Sequence, residues 1–278
     1  MLSLTKITSD QPVNQHKEQS APNRPSRPVH WEKSFPKEAI YEITRWCLSA
    51  FMRLKLDVDI RRHAALPQGP KILAANHPTS IDPFYLLTLL SEPVCLLLTA
   101  AAFEVPVFGS YLHMNGHIPA VRSSRGATVE SIIQRVKAGR TVAIFPEGAL
   151  SPLRGGFHQP HSGAARVALC TGAPVIPIGI GLQRARIRVI EINKAGQNVI
   201  GYLYTKGSYA ITVGQALTFE GSVADHDHVR NVSKLIMSHI RTLAHESENR
   251  IPPVCTEETV PGLHSTRSNL SAVTPADR

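Results

Sequence analysis

The chain has 278 residues, 42% of them hydrophobic and 18% charged, enough apolar material for a sizeable core in one large domain or two small ones. Its formal net charge of +9 points to a negatively charged partner: nucleic acid, an anionic membrane surface or a phosphorylated small molecule. Aromatic residues make up only 6% and are not interleaved with the basic ones, which argues against a base-stacking platform and so against nucleic acid.

The first thirty residues carry no apolar run of the signal-peptide kind, and "QPVNQHKEQSAPNRPSRPVH" is polar and proline-rich. Residues 1–36 read as disordered, 37–250 as one ordered domain and 251–278 as a second disordered tail. The cysteines Cys47, Cys95, Cys170 and Cys255 form no CxxC pair, and three stand in apolar settings that fit buried free thiols. A reducing, cytoplasmic location is the expectation. No stretch reads as a transmembrane helix, since the longest uncharged runs, Val105–Val121 and Val167–Gln183, are broken by Gly and Pro.

The ordered part opens with a helix over about Lys37–Leu54. Its apolar stripe is Ile40, Ile43, Cys47, Ala50, Phe51 and Leu54, flanked by Arg45, Trp46, Arg53 and Lys55. That pattern suits either a surface helix docked on the core or an interfacial helix lying on anionic lipid. "LKLDVDI" then alternates as a half-buried strand. Strands are predicted at Ile72–Ala75, Val94–Thr99, Ile118–Val121, Thr141–Phe145, Val175–Ile180, Ile187–Ile192 and Tyr209–Val213. Helices are predicted at Pro83–Leu90, Thr128–Lys137, Gly163–Cys170 and His226–His245. The near-continuous apolar strands "TVAIF" and "PVIPIGI" suggest burial on both faces. The expected fold is α/β: a mixed, mostly parallel sheet flanked by helices and preceded by an amphipathic helix.

"NHPTSIDP" ends the first core strand. Asp82-Pro83 reads as a helix start, with aspartate as N-cap and proline at the first helical position. Ligands of open α/β sheets collect at such strand ends, and the four-residue spacing lets His77 and Asp82 fold back on each other. An aspartate on one ring nitrogen fixes the tautomer and leaves the other nitrogen as a base. The loop alone fits plain turn chemistry equally well. "FPEG" then sets Glu147 and Gly148 at a neighbouring strand end, and "GHIPAVR" adds Arg122, a side chain suited to holding phosphate in a bidentate way.

In this order the residues resemble the glycerolipid acyltransferase family, typified by 1-acylglycerol-3-phosphate acyltransferases. "NHPTSID" is similar to its NH-x4-D block, "GHIPAVR" to its G-x-I-x-x-x-R block, "FPEG" to its third and "PVIPIGI" to its fourth, spanning Ile72 to Ile180. The resemblance implies His77 as base and Asp82 as its orienter. It implies Arg122, Glu147, Gly148 and Asn76 as substrate-binding residues, with oxyanion donors sought among the amides of Pro146–Gly148. It further implies an acyl thioester donor, acyl-CoA or acyl carrier protein, and a lysophospholipid acceptor in phospholipid biosynthesis. The protein would sit peripherally on an anionic membrane surface. No metal or organic cofactor is indicated.

One departure from that pattern stands out. The family commonly follows its "EG" with Thr-Arg, where this chain has Ala149-Leu150; Arg154 and Arg166 are the residues placed to compensate. A catalytically silent lipid-binding member, or an acyltransferase for another acceptor, is the alternative. The run Arg184–Arg188 reads as three arginines on one strand face, either a solvated edge or a contact with phosphates.

Overall fold

The structure, a computed structural model, describes residues 37–194 and 197–253, and the two segments read as disordered lie outside the described residues apart from Ile251–Pro253. In chain order the elements are α1 (Lys37–Lys55), β1 (Leu56–Arg62), β2 (Ile72–Ala75), α2 (Asp82–Leu86), β3 (Val94–Thr99), α3 (Ala100–Phe103) and α4 (Phe108–Met114). There follow β4 (Ile118–Ala120), α5 (Arg125–Lys137), β5 (Thr141–Ile144), α6 (Gly163–Thr171), β6 (Val175–Leu182), β7 (Arg188–Lys194), β8 (Gln197–Leu203), β9 (Gly207–Val213) and α7 (His226–Glu248).

Seven strands form one sheet in the order β1-β9-β6-β2-β5-β3-β4. Neighbours are parallel throughout, except that β9 runs antiparallel to β6. The sheet is buried on both faces because alternate residues serve two cores. Ile72 and Ala74 pack with α5, α6 and α7, while Leu73 and Ala75 pack with α1 and α2. Helix α7 lies directly on β6, where a Cβ at Gly179 would come within 2.0 Å of the Leu243 backbone, so only glycine allows that approach. The short hairpin β7–β8 stands outside the main sheet.

Four sequence expectations are corrected. Helix α1 forms, but half of its predicted stripe stays outside: Ile43 and Leu54 are 57% and 81% exposed and Cys47 is exposed, as is the flanking Trp46, whereas Tyr41 and Met52 are buried. The helix carries two apolar faces, and the one bearing Tyr41 and Met52 is the one the sheet accepts. Cys95 is buried, but Cys47 and Cys170 are exposed. Arg184–Arg186 form a 3-10 turn, with the strand starting at Arg188. The three arginines therefore do not share a strand face; Arg184 bonds Pro152 O at 3.1 Å and Glu248 at 3.0 Å. Asp82 is the first residue of α2 and caps nothing, the cap position being Ile81.

His117, at the entry to β4, is 3% exposed, and its Nδ1 accepts the Leu96 N–H at 3.0 Å. Burial, helped by the nearby Arg140, lowers its pKa from 6.5 to about 4. The unfolded chain therefore binds a proton through this window that the folded chain does not, and stability falls as pH drops from 6.5 toward 4. The loss from this group is about 3 kcal/mol at most. His117→Asn keeps an acceptor for Leu96 and does not titrate. Urea midpoints between pH 7 and pH 4.5 should therefore fall less steeply in the variant than in the wild type.

Candidate active site

Strand β2 delivers Asn76 and His77 to the edge where β5 also ends. Asn76 is fully buried; its Nδ2 donates to Ile180 O at 2.9 Å and its Oδ1 accepts the Ile180 N–H at 2.7 Å. With both ends of its amide bonded to β6, Asn76 locks the strand exit. His77 is the accessible member, with 17% of its side chain exposed. Its ring stacks on Phe145 at 4.1 Å between centroids, and Nδ1 lies 3.2 Å from Asp82 Oδ2. The carboxylate keeps the proton on Nδ1, which leaves the Nε2 lone pair free as a base.

Asp82 is fully buried, and a buried carboxylate demands donors. Thr79 supplies two, its N–H to Oδ2 at 2.6 Å and its hydroxyl to Oδ1 at 2.5 Å. Tyr209 of β9 supplies another, its hydroxyl to Oδ1 at 2.8 Å. Burial, and then the adjacent Asp82 charge, raise the Tyr209 pKa well above its usual value, so the phenol stays a donor. Carboxylate oxygens fully engaged in this way leave Asp82 one function toward the histidine, which is orientation.

Glu147 is the second buried carboxylate, 2% exposed. Its Oε1 accepts the His77 N–H at 3.2 Å and the Ser151 hydroxyl at 2.5 Å, and its Oε2 accepts the His158 N–H at 2.8 Å. Ser151 closes the ring by donating its N–H to His77 O at 2.7 Å. Glu147 thus braces the His77 backbone instead of lining an open pocket. Gly148 has φ +63°, and a Cβ there would meet His161 at 2.5 Å, so the turn requires glycine. Its N–H donates to Phe145 O at 3.0 Å. Pro146 has no N–H, so neither of these two residues offers a free amide to an oxyanion.

The other predicted residues are spread further. Arg122 opens a 3-10 turn directly after β4, at the same sheet edge but with β3 between it and β5; its side chain lies outside the described residues. Arg154 is exposed on the loop that follows Ser151. Arg166 sits on α6, its Nε 3.3 Å from Ser162 Oγ, and lines a cavity of about 400 Å³ with Arg230 and Lys234; His77 is not among the residues lining that cavity. Thr79, Ser151 and Tyr209 escaped the sequence reading. Thr79 and Ser151 lie inside or beside the quoted motifs and could have been weighed as donors, but Tyr209 is 127 residues from Asp82 and carries no local signal.

His77 and the buried Asp82 thus meet at the strand ends of an α/β sheet. A family model described as Acyltransferase matches residues 57–181. The chain is 25% identical over 143 residues to the 1-acyl-sn-glycerol-3-phosphate acyltransferase of Salmonella typhimurium, covering 50% of this chain and 58% of that protein. It is 28% identical over 137 residues to a Chlamydomonas reinhardtii protein of the same name, covering 48% and 40%. The chain thus spans less than two thirds of the length of these relatives. The crystal structure of the 1-acyl-sn-glycerophosphate (LPA) acyltransferase PlsC from Thermotoga maritima shares the fold, with a TM-score of 0.54 at 19% identity over 74% of this chain and 80% of that one. Over residues 57–181 the chain is thus similar to the Acyltransferase family, and over about half its length to proteins named 1-acyl-sn-glycerol-3-phosphate acyltransferase.

Tyr209→Phe tests the role of the phenol. It leaves Asp82 Oδ1 with the Thr79 hydroxyl alone, which should cost about 1–3 kcal/mol of stability. Whatever turnover the wild type shows should fall about tenfold in kcat with KM little changed, as expected when a group acts only through the base. Thermal unfolding and steady-state kinetics on the same preparations check both.

Proposed function

We propose that the protein transfers a fatty acyl chain from a thioester, acyl-CoA or acyl carrier protein, to the hydroxyl of a lysophospholipid. The acceptor that fits the family is 1-acylglycerol-3-phosphate, with phosphatidic acid as product in phospholipid biosynthesis. The observation that carries this reading is the His77–Asp82 pair, Nδ1 held at 3.2 Å and Nε2 turned away from the carboxylate. Nε2 takes the hydroxyl proton as the oxygen attacks the thioester carbonyl, and the imidazolium is stabilised by Asp82. The attack forms the new C–O bond; collapse of the tetrahedral intermediate restores the carbonyl and breaks the C–S bond, and the imidazolium returns its proton to the leaving thiolate. Base assistance of this kind is worth roughly 100- to 10,000-fold. Arg122 is assigned to the acceptor's phosphate, with Arg154 and Arg166 as further cations where the family carries arginine after "EG".

The location that suits such a substrate is the surface of an anionic membrane. Among the described residues no helix is long and apolar enough to cross one. Helix α1 instead exposes Ile43, Trp46 and Leu54 on one face, with Arg53 and Lys55 in its last turn, the pattern of a helix lying at headgroup depth.

Purified protein given a labelled acyl thioester and a panel of lysophosphatidic acid, glycerol-3-phosphate and neutral lysolipids should form ester with the phosphate-bearing lysolipid. In His77→Ala the rate should drop by at least about a hundredfold. Product unchanged in the variant removes His77 from the chemistry. Lipid binding without product from either protein selects the silent lipid-binding reading, and free fatty acid alone selects hydrolysis. Separately, Ile43, Trp46 and Leu54 changed together to Ser should reduce flotation with vesicles containing anionic lipid; undiminished flotation rules out α1 as the contact.

A further inference from the structure

The loop between His77 and Asp82 is held from a third direction, by the β7–β8 hairpin. Ser80 donates its N–H to Tyr202 O at 2.9 Å, and the Tyr202 N–H donates to Ser80 Oγ at 3.0 Å. Ser80 thus serves the free edge of β8 as a strand residue would, with its side-chain oxygen standing in for a backbone carbonyl. The approach is close. A Cβ at Gly201 would lie 3.0 Å from the Ile190 side chain and 3.6 Å from Ser80 Oγ. A weaker link runs alongside, from the Tyr85 hydroxyl to Tyr204 O at 3.4 Å. Tyr204 is anchored in turn, its hydroxyl donating to Ser208 O at 2.8 Å on β9.

None of these bonds reaches the reacting atoms. Their position in the chain is what matters. Ser80 follows Thr79, which gives Asp82 two of its donors, and it lies within the span whose backbone sets the distance from His77 Nδ1 to Asp82 Oδ2. A serine needed only for solvation would have no reason to exchange two bonds with a hairpin that the main sheet does not hold. We propose that Ser80 is a positioning residue, and that the β7–β8 hairpin keeps His77 and Asp82 in register through it. Loosening the clasp lowers turnover and leaves substrate binding intact. The kinetic arm of this inference rests on the acyl-transfer reading above; its structural arm does not.

The test uses the full chain as Ser80→Ala and Ser80→Thr. In Ser80→Ala, kcat should fall about tenfold while KM for thioester and acceptor each stays within about twofold. Ser80→Thr keeps the hydroxyl and should recover most of the loss. Two readouts need no turnover. The Tyr202 amide should exchange faster with deuterium in Ser80→Ala. The ring nitrogen signals of His77, identified in labelled protein by their absence in His77→Gln, should move in Ser80→Ala and return in Ser80→Thr. A wild type that transfers no acyl group to any acceptor defeats the acyl-transfer reading alone, because exchange and ring signals still decide the role of Ser80. Unmoved ring signals in Ser80→Ala overturn the proposal, as does a rise in KM that accounts for the lost activity or a threonine variant no better than alanine.

Discussion

Everything at this site follows from keeping one charge out of water. Asp82 has no exposed surface, and an ionised carboxylate in that position is tolerable only if its oxygens are filled by donors and a positive or polarisable partner. The loop itself provides Thr79, the histidine provides Nδ1, and β9, two strands away from β2 in the sheet, provides the Tyr209 hydroxyl. Strand β9 runs against β6, and residues 207–213 are where that reversed strand sends Tyr209 under the start of α2. The preorganisation that a base needs is therefore built into the sheet order and not into the loop alone.

Glu147 repeats the solution one strand away. It too is buried, and it too spends its oxygens on protein donors, here the backbone of His77, the hydroxyl of Ser151 and the backbone of His158. One carboxylate orients the ring and the other fixes the main chain that carries it. Both carboxylates have their oxygens engaged by protein donors.

How much of this was readable in the sequence depended on the range of the interaction. Strands such as Thr141–Ile144 and Val175–Leu182 declare themselves because burial on both faces leaves an unbroken apolar run. His77 and Asp82 declare themselves because five residues of chain force them together. The α1 stripe misled, since periodicity reports that a helix has an apolar face but not which of two faces the sheet takes; Tyr41 and Met52 won, and Ile43, Trp46 and Leu54 were left outside. Asp82-Pro83 misled in another way. The pair has the composition of a helix cap, but the carboxylate is worth more to Thr79 and Tyr209 than to the first turn of a five-residue helix. Arg184–Arg186 turned instead of extending because Arg184 finds Pro152 O and Glu248.

The same distinction bears on where the working unit ends. The family match closes at residue 181, at the penultimate position of β6, and it contains His77, Asp82, Arg122 and Glu147. Two of the residues that hold the catalytic loop, Tyr202 and Tyr209, lie beyond it. A fragment cut to the match would keep every motif residue and yet leave Asp82 Oδ1 short of its phenol and Ser80 without β8. Both losses fall on buried or half-buried polar groups, where an unmade hydrogen bond costs about 1–3 kcal/mol each. The motif residues lie within the match, but the contacts that hold the loop between His77 and Asp82 extend through β9.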